Sequence, residues 1–213
     1  MTGIPRGPLP PFHLCRDFLD EADRSALLEW TLANRDRFEP SKLGSGTLDP
    51  AIRQSLSLRD PGPLAPVIES RLRALAGDIF ERTGTPPFPI DYVEQVLIAY
   101  GDGAHFTAHT DMPVGPGRKP LGGDRTGRHE RLLSAVYYFH SEPKAYSGGA
   151  LRIHRFGARG GEEDSVDIEP VQNGLLAFPA WAMHEVRPVS CPSGRFEDHR
   201  FAVNCWLCRE SGG

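Results

Sequence analysis

The sequence predicts a mainly β protein, a sandwich or jelly roll with two helices packed against one sheet. Three observations carry that expectation. Glycine (23) and proline (20) make up a fifth of the 213 residues, which favours many turns over a helical bundle. The two amphipathic helical patterns both lie before residue 85. After it the helical period disappears, and short β-type runs alternate with turn residues.

The first helix is expected over residues 16–36. Asp20 can cap it, acidic residues fill the first turn, and Leu27, Leu28, Thr31 and Leu32 recur at helical spacing. The second runs from Pro63 to Arg82, with Ile68, Leu72, Leu75 and Ile79 as one apolar stripe and Gly84 as terminator. Between them, residues 37–62 hold glycines, serines and charges with little periodicity, which predicts a mobile connecting loop with one short strand. The predicted strands are Tyr92 to Tyr100, Leu132 to His140, Ala150 to Arg155, Ser165 to Ile168, Gly174 to Phe178, Ala182 to Val186 and His199 to Cys208. The length suits one core, so a single domain is expected over 1–213, with helical support and a loop over 1–90 and the β core over 91–210.

A net charge of -4 and the lack of a basic stripe argue against a nucleic-acid partner. The local exception is the segment carrying Arg118, Lys119, Arg125, Arg128 and Arg131 amid glycines, expected to be a solvated loop. The most apolar stretch, Asn173 to Met183, is broken by Pro179 and too short to span a bilayer, and prolines occupy the N-terminus where a signal peptide needs an apolar helix. A cytoplasmic protein with no membrane partner is expected. The four cysteines Cys15, Cys191, Cys205 and Cys208 are too scattered for a disulfide scaffold, and Cys205-x-x-Cys208 lies in a strand-like segment, so buried reduced thiols are expected.

The chemistry is carried by His109-Thr110-Asp111. In extended backbone, residues two apart face the same side, so His109 and Asp111 can serve one ion while Thr110 points away. His184, on another predicted strand, completes a set of two imidazoles and one carboxylate. Such a facial set leaves coordination positions open and suits Fe(II), though Co, Ni or Zn would also be accepted. The last strand places Arg200, Ala202, Asn204 and Trp206 on one face and Phe201, Val203, Cys205 and Leu207 on the other. An arginine facing the interior is costly unless it meets an anion, and a guanidinium can bind both oxygens of a carboxylate at once.

In order, Tyr100, Phe106, His109-x-Asp111, Leu133-Ser134-x-Val136-Tyr137-Tyr138, Gly148-Gly149-x-Leu151-x-Ile153, Pro170-x-x-x-Gly174, Phe178, His184-Glu185-Val186-x-Pro188-Val189, Arg200 and Trp206 resemble the Fe(II)/2-oxoglutarate-dependent dioxygenases, in their prolyl-4-hydroxylase-like branch. The resemblance covers residues 92–208. It implies a double-stranded β-helix, a cupin-like jelly roll, buttressed by two or three α-helices. It also implies that His109, Asp111 and His184 hold Fe(II) and that Arg200 grips the distal carboxylate of 2-oxoglutarate. Tyr100 and Tyr138 would be hydroxyl donors to that co-substrate, and Val136, Leu151, Val186 and Trp206 apolar walls of its pocket. O2 is the other co-substrate, ascorbate an accessory reductant, and the outcome hydroxylation of an unactivated C–H bond with release of succinate and CO2. Asp111 fits that outcome, since related halogenases replace the carboxylate by a small residue.

Nucleic-acid demethylases resembling AlkB carry a second arginine six residues after the co-substrate arginine; here that position is Trp206. The substrate, a side chain in a peptide or protein or a free amino acid or small metabolite, is left open, as is the oligomeric state. Residues 40–60 and 112–131 are the candidate substrate loops, the second as a lid whose Arg125 and Arg128 meet an acidic substrate. Two further readings stand beside the hydroxylase: a ligand-binding or oxygen- and 2-oxoglutarate-sensing jelly-roll module, and a cupin-type metalloenzyme without 2-oxoglutarate, which leaves Arg200 and Tyr138 without work.

Overall fold

The computed structural model describes residues 7–112, 129–157 and 164–210. Helix α1, Glu21–Ala33, starts behind Asp20, whose carboxylate accepts the Asp23 backbone N–H at 2.8 Å. The expected cap is in place, but the helix does not reach back to residue 16. Asp17 takes a left-handed φ of 53°, which turns Phe18 and Leu19 into the core instead. Helix α2, Ala65–Thr83, follows a 3-10 turn over Gly62–Leu64 and ends at Gly84, whose φ of 62° lets the chain leave the helix. Ile68, Leu72 and Ile79 of the expected stripe are buried, while Leu75 is only partly so and Ala76 and Phe80 share its place.

In chain order the strands are β1 His13–Cys15, β2 Glu39–Pro40, β3 Arg53–Gln54, β4 Leu56–Leu58, β5 Tyr92–Tyr100, β6 His105–His109 and β7 His129–Phe139. Then come β8 Ser147–Gly148, β9 Leu151–His154, β10 Ser165–Ile168, β11 Gly174–Pro179, β12 His184–Val186, β13 Val189–Ser190 and β14 Arg200–Glu210. One sheet runs β1-β11-β7-β14-β5-β4-β2 and a second β10-β9-β12-β6-β3, with β13-β8 as a separate pair. Every pairing is antiparallel. This is a jelly roll: the chain crosses between two facing sheets and brings strands distant in sequence together.

The parity read along the last strand holds. Phe201, Val203, Cys205 and Leu207 pack with Leu27, Ile68, Leu72 and Ile79, so the helices cover the outer face of the larger sheet. Ala202 and Trp206 point the other way, into the space between the sheets. Cys205 and Cys208 thus face opposite sides and do not converge as a metal or redox pair. Cys191, Cys205 and Cys208 are buried thiols as expected, whereas Cys15 is half-buried.

Residues 37–62 differ most from expectation. In place of a loop with one short strand, β4 extends the larger sheet beside β5 and β3 extends the smaller one beside β6. Strands of two or three residues are too short to show a period, so their pairing was invisible in the sequence. Among the described residues, no helix is long and apolar enough to cross a membrane.

Candidate metal and anion site

His109 closes β6 and His184 opens β12, and the two strands pair so that these residues lie directly opposite. Asp111 is not on the strand but in the bend just beyond it. Its backbone N–H donates to the Ala180 carbonyl at 3.0 Å, as does that of Met112 at 3.2 Å, which turns the carboxylate back toward the imidazoles. Nε2 of His109 lies 3.8 Å from Asp111 Oδ1, and Nε2 of His184 lies 3.7 Å from Asp111 Oδ2. The three ligand atoms all fall within 4.8 Å of one another and could hold one ion.

The tautomers suit that use. Nδ1 of His109 is 2.8 Å from the Thr107 carbonyl and Nδ1 of His184 is 2.9 Å from the Ala182 carbonyl. A carbonyl only accepts, so each Nδ1 donates and each Nε2 keeps its lone pair for a metal. Phe106 stacks on the His109 ring at 3.6 Å and Phe178 meets the His184 ring edge-on at 4.7 Å, fixing both ring planes. Ser134 Oγ donates to Asp111 Oδ2 at 2.7 Å.

The electrostatics prepare the same state. Burial, reinforced by the neighbouring His184, pushes the His109 imidazole down to about 3. Burial acts upward on Asp111, but the two imidazoles, Arg131 and the Ser134 hydrogen bond outweigh it and hold the carboxyl at about 2. At neutral pH the site therefore offers a neutral imidazole and an ionised carboxylate, the forms that bind a metal.

Across the same cleft of about 650 Å³ stands Arg200. It is 1% exposed, yet among the described residues Nε, Nη1 and Nη2 have no hydrogen-bond partner. Its guanidinium carbon lies 4.8 Å from the Tyr100 ring and 4.9 Å from the Tyr138 ring. Tyr138 Oη is also buried without a hydrogen-bond partner among the described residues, and burial pushes its pKa far above the ordinary phenol range, so the hydroxyl keeps its proton. A buried cation beside an unpaired hydroxyl donor is an incomplete site, and an anion with two acceptor oxygens completes it. Tyr100, Val136, Leu151, Val186 and Trp206 line the cleft, and the Tyr138 ring lies against Arg200.

Arg131 overturns one expectation. It is not in a solvated loop but buried on β7, where Nε and Nη2 donate to Glu94 Oε2 at 2.9 and 2.6 Å, and its guanidinium lies 3.7 Å from the Trp206 ring centre. Arg118, Lys119, Arg125 and Arg128, and residues 113–128 of the lid expected over 112–131, lie outside the described residues. Sequence reasoning assigned no role to Ser134, Arg131, Glu94 or Arg53, all of which line the cleft. For Ser134 a signal existed, since it shares strand parity with Val136 and Tyr138.

The fold and the site together define a class. The family profile of the 2OG-Fe(II) oxygenase superfamily matches residues 96–208, more than half of the chain, and this chain belongs to that superfamily. An uncharacterized PKHD-type hydroxylase of Synechocystis sp. is 30% identical over 148 residues, 68% of this chain and 45% of that protein, so the chain spans less than half the length of this curated relative. Among solved structures, a Pseudomonas putida prolyl-4-hydroxylase superposes with a TM-score of 0.62 at 23% identity, covering 93% of both chains. A prolyl hydroxylase from Trichoplax adhaerens, in complex with a hypoxia inducible factor oxygen degradation domain peptide fragment, gives 0.61 at 19% identity over 92% of this chain and 83% of that one. These two likenesses establish the jelly-roll fold.

Proposed function

We propose that this chain is an Fe(II)- and 2-oxoglutarate-dependent hydroxylase. It oxidises an unactivated C–H bond of a prolyl or other amino-acid side chain in a peptide or protein, or of a free amino acid or small metabolite, and releases succinate and CO2. The observation that carries this reading is Arg200, a fully buried guanidinium whose three nitrogens are unpaired among the described residues, facing the same cleft as the His109, Asp111 and His184 donors.

The donor set fits iron: two imidazole nitrogens and one carboxylate leave coordination positions open. When bound, the metal supplies the redox chemistry by which O2 oxidises 2-oxoglutarate and the substrate. The chain's own residues do the rest. The Thr107 and Ala182 carbonyls accept from Nδ1 of each histidine, which leaves Nε2 of the neutral ring facing the Asp111 carboxylate, and Ser134 fixes that carboxylate's second oxygen. Arg200 binds the distal carboxylate of 2-oxoglutarate through its planar fork, and Tyr138, kept protonated by burial, donates to the same group. Tyr100 flattens one side of the guanidinium, and Val136, Leu151, Val186 and Trp206 keep water from the co-substrate chain. Because Arg37, Lys42, Arg53 and Arg59 of the N-terminal part line the cleft together with the β core, the chain works as one domain on this reading.

Succinate release that requires added Fe(II), 2-oxoglutarate and O2, and disappears in Arg200→Ala, is the expected result. A protein that binds a divalent metal but neither binds nor turns over 2-oxoglutarate would instead support the cupin-type metalloenzyme.

A further inference from the structure

Outside the iron and co-substrate machinery another arginine lines the cleft. Arg53 lies on β3 directly opposite Phe106, and its guanidinium carbon sits 4.7 Å from the Phe106 ring centre. Phe106 in turn stacks on His109 at 3.6 Å. Arg53 is half-buried, and Nε donates to Ser55 Oγ at 3.1 Å while Ser55 donates to Ser41, so the fork has a set orientation. Among the described residues no carboxylate pairs with it. The neighbouring lining arginines differ: Arg37 is held by Asp60 and Arg131 by Glu94. Lys42 and Arg59 line the same cleft without an ion-pair partner among the described residues, and Glu39 is the one lining carboxylate there that is neither paired nor part of the metal site. Burial also works against the charge on Arg53.

We propose that Arg53 binds an anionic group of the substrate, so that the substrate is a small carboxylate- or phosphate-bearing molecule oxidised at a carbon close to that anion. The inference rests on the hydroxylase reading only in calling the anion a substrate's. A half-desolvated guanidinium is stabilised most by a planar or tetrahedral oxyanion that accepts two hydrogen bonds. Lys42 and Arg59 at the rim raise the local anion concentration. Nearness decides the size of the ligand: the Phe106 ring touches both the guanidinium and the His109 ring, so an anion bound by Arg53 lies close to the metal ligands. An interior prolyl residue of a neutral peptide offers no charge there, whereas a free amino acid or a phosphate ester does.

The test has two arms. In the first, succinate release is measured with free amino acids and small carboxylic acids, their amides, the same residues inside N-acetylated and C-amidated peptides, and phosphate esters beside their parent alcohols. Turnover should fall to the acids or the phosphate esters, which separates the two sources of the anion. For the substrate found, Arg53→Gln should raise KM at least about tenfold, Arg53→Lys should recover part of the loss, and the KM for 2-oxoglutarate should stay put. Equal turnover of a neutral or capped counterpart, or an unchanged KM in Arg53→Gln, overturns the proposal. The second arm needs no turnover: in 15N-labelled metal-free protein, the arginine Nε–H resonance missing from Arg53→Gln should shift and saturate on titration with acetate and with inorganic phosphate. No shift overturns the proposal whatever the first arm gives. A shift without any 2-oxoglutarate turnover leaves the anion site standing and sinks the hydroxylase reading.

Discussion

A β-carbon at position 149 would lie 2.6 Å from Cδ of Arg200 and 2.8 Å from Val189, so Gly149 is what allows the buried guanidinium to lie where it does. Its φ of 73° adds a second reason for glycine. Gly149→Ala should therefore displace Arg200 and raise the KM for 2-oxoglutarate about tenfold or more, with a stability loss of order 1–3 kcal/mol from the strained backbone. Steady-state kinetics with varied 2-oxoglutarate checks the first and urea unfolding the second. A wild-type KM would show that Arg200 does not set co-substrate affinity.

Ser134→Ala removes the hydrogen bond on Asp111 Oδ2 while leaving all three ligand atoms in place. Affinity for Fe(II), or for Co(II) as a spectroscopic substitute, should drop roughly 10–100-fold, the usual effect of losing a partner that orients a ligand. Metal titration of the variant against the wild type decides it, and equal affinities would count against the assigned role.

Glu94 and the buried Arg131 form a largely desolvated pair beside Trp206 in the cleft lining. Glu94→Gln strands the guanidinium and should cost about 3–5 kcal/mol of stability, whereas replacing both residues by methionine should cost much less because no charge is left buried. Urea denaturation of the single and double variants reads the difference. If the double variant were the less stable of the two, direct attraction within the pair would outweigh its desolvation.

Acid should destabilise the metal-free protein through the site itself. His109 is pushed down from 6.5 to about 3 by burial and by His184, so between those values the unfolded chain binds the proton and the folded one does not. Stability thus falls as pH drops through this window, by up to about 1.4 kcal/mol per pH unit. Asp111, held at about 2 against its usual 3.8, adds stability above 3.8 that is lost as pH falls toward 2. His109→Gln should flatten the dependence between pH 6.5 and 4. An unchanged slope in that variant would assign the acid sensitivity to other groups.

Much of the site was legible because it follows strand parity. Arg200, Ala202 and Trp206 had to share a face once the segment was extended, and their apolar neighbours had to face the helices. His109, Asp111 and His184 were found by donor type and spacing, although Asp111 reaches its place through a bend tied to Ala180 and not through continued strand. Arg53 and Arg131 were not legible. Arg53 reaches the cleft through a two-residue edge strand that carries no period, and Arg131 is drawn inward by Glu94 on a neighbouring part of the sheet, a pairing 37 residues away in sequence. The start of α1 was missed for a local reason, the left-handed turn at Asp17.

On the proposed reading, one cleft joins a three-ligand iron site to a carboxylate-binding arginine. Anaerobic addition of Fe(II) and 2-oxoglutarate to the purified protein tests it directly through the weak visible charge-transfer absorption that arises when both bind together. The band should appear in the wild type and vanish in His109→Ala, and in Arg200→Ala it should be absent at co-substrate concentrations that saturate the wild type. A wild-type protein that shows no band, or an Arg200→Ala protein that shows it at the wild-type 2-oxoglutarate concentration, would contradict the claim.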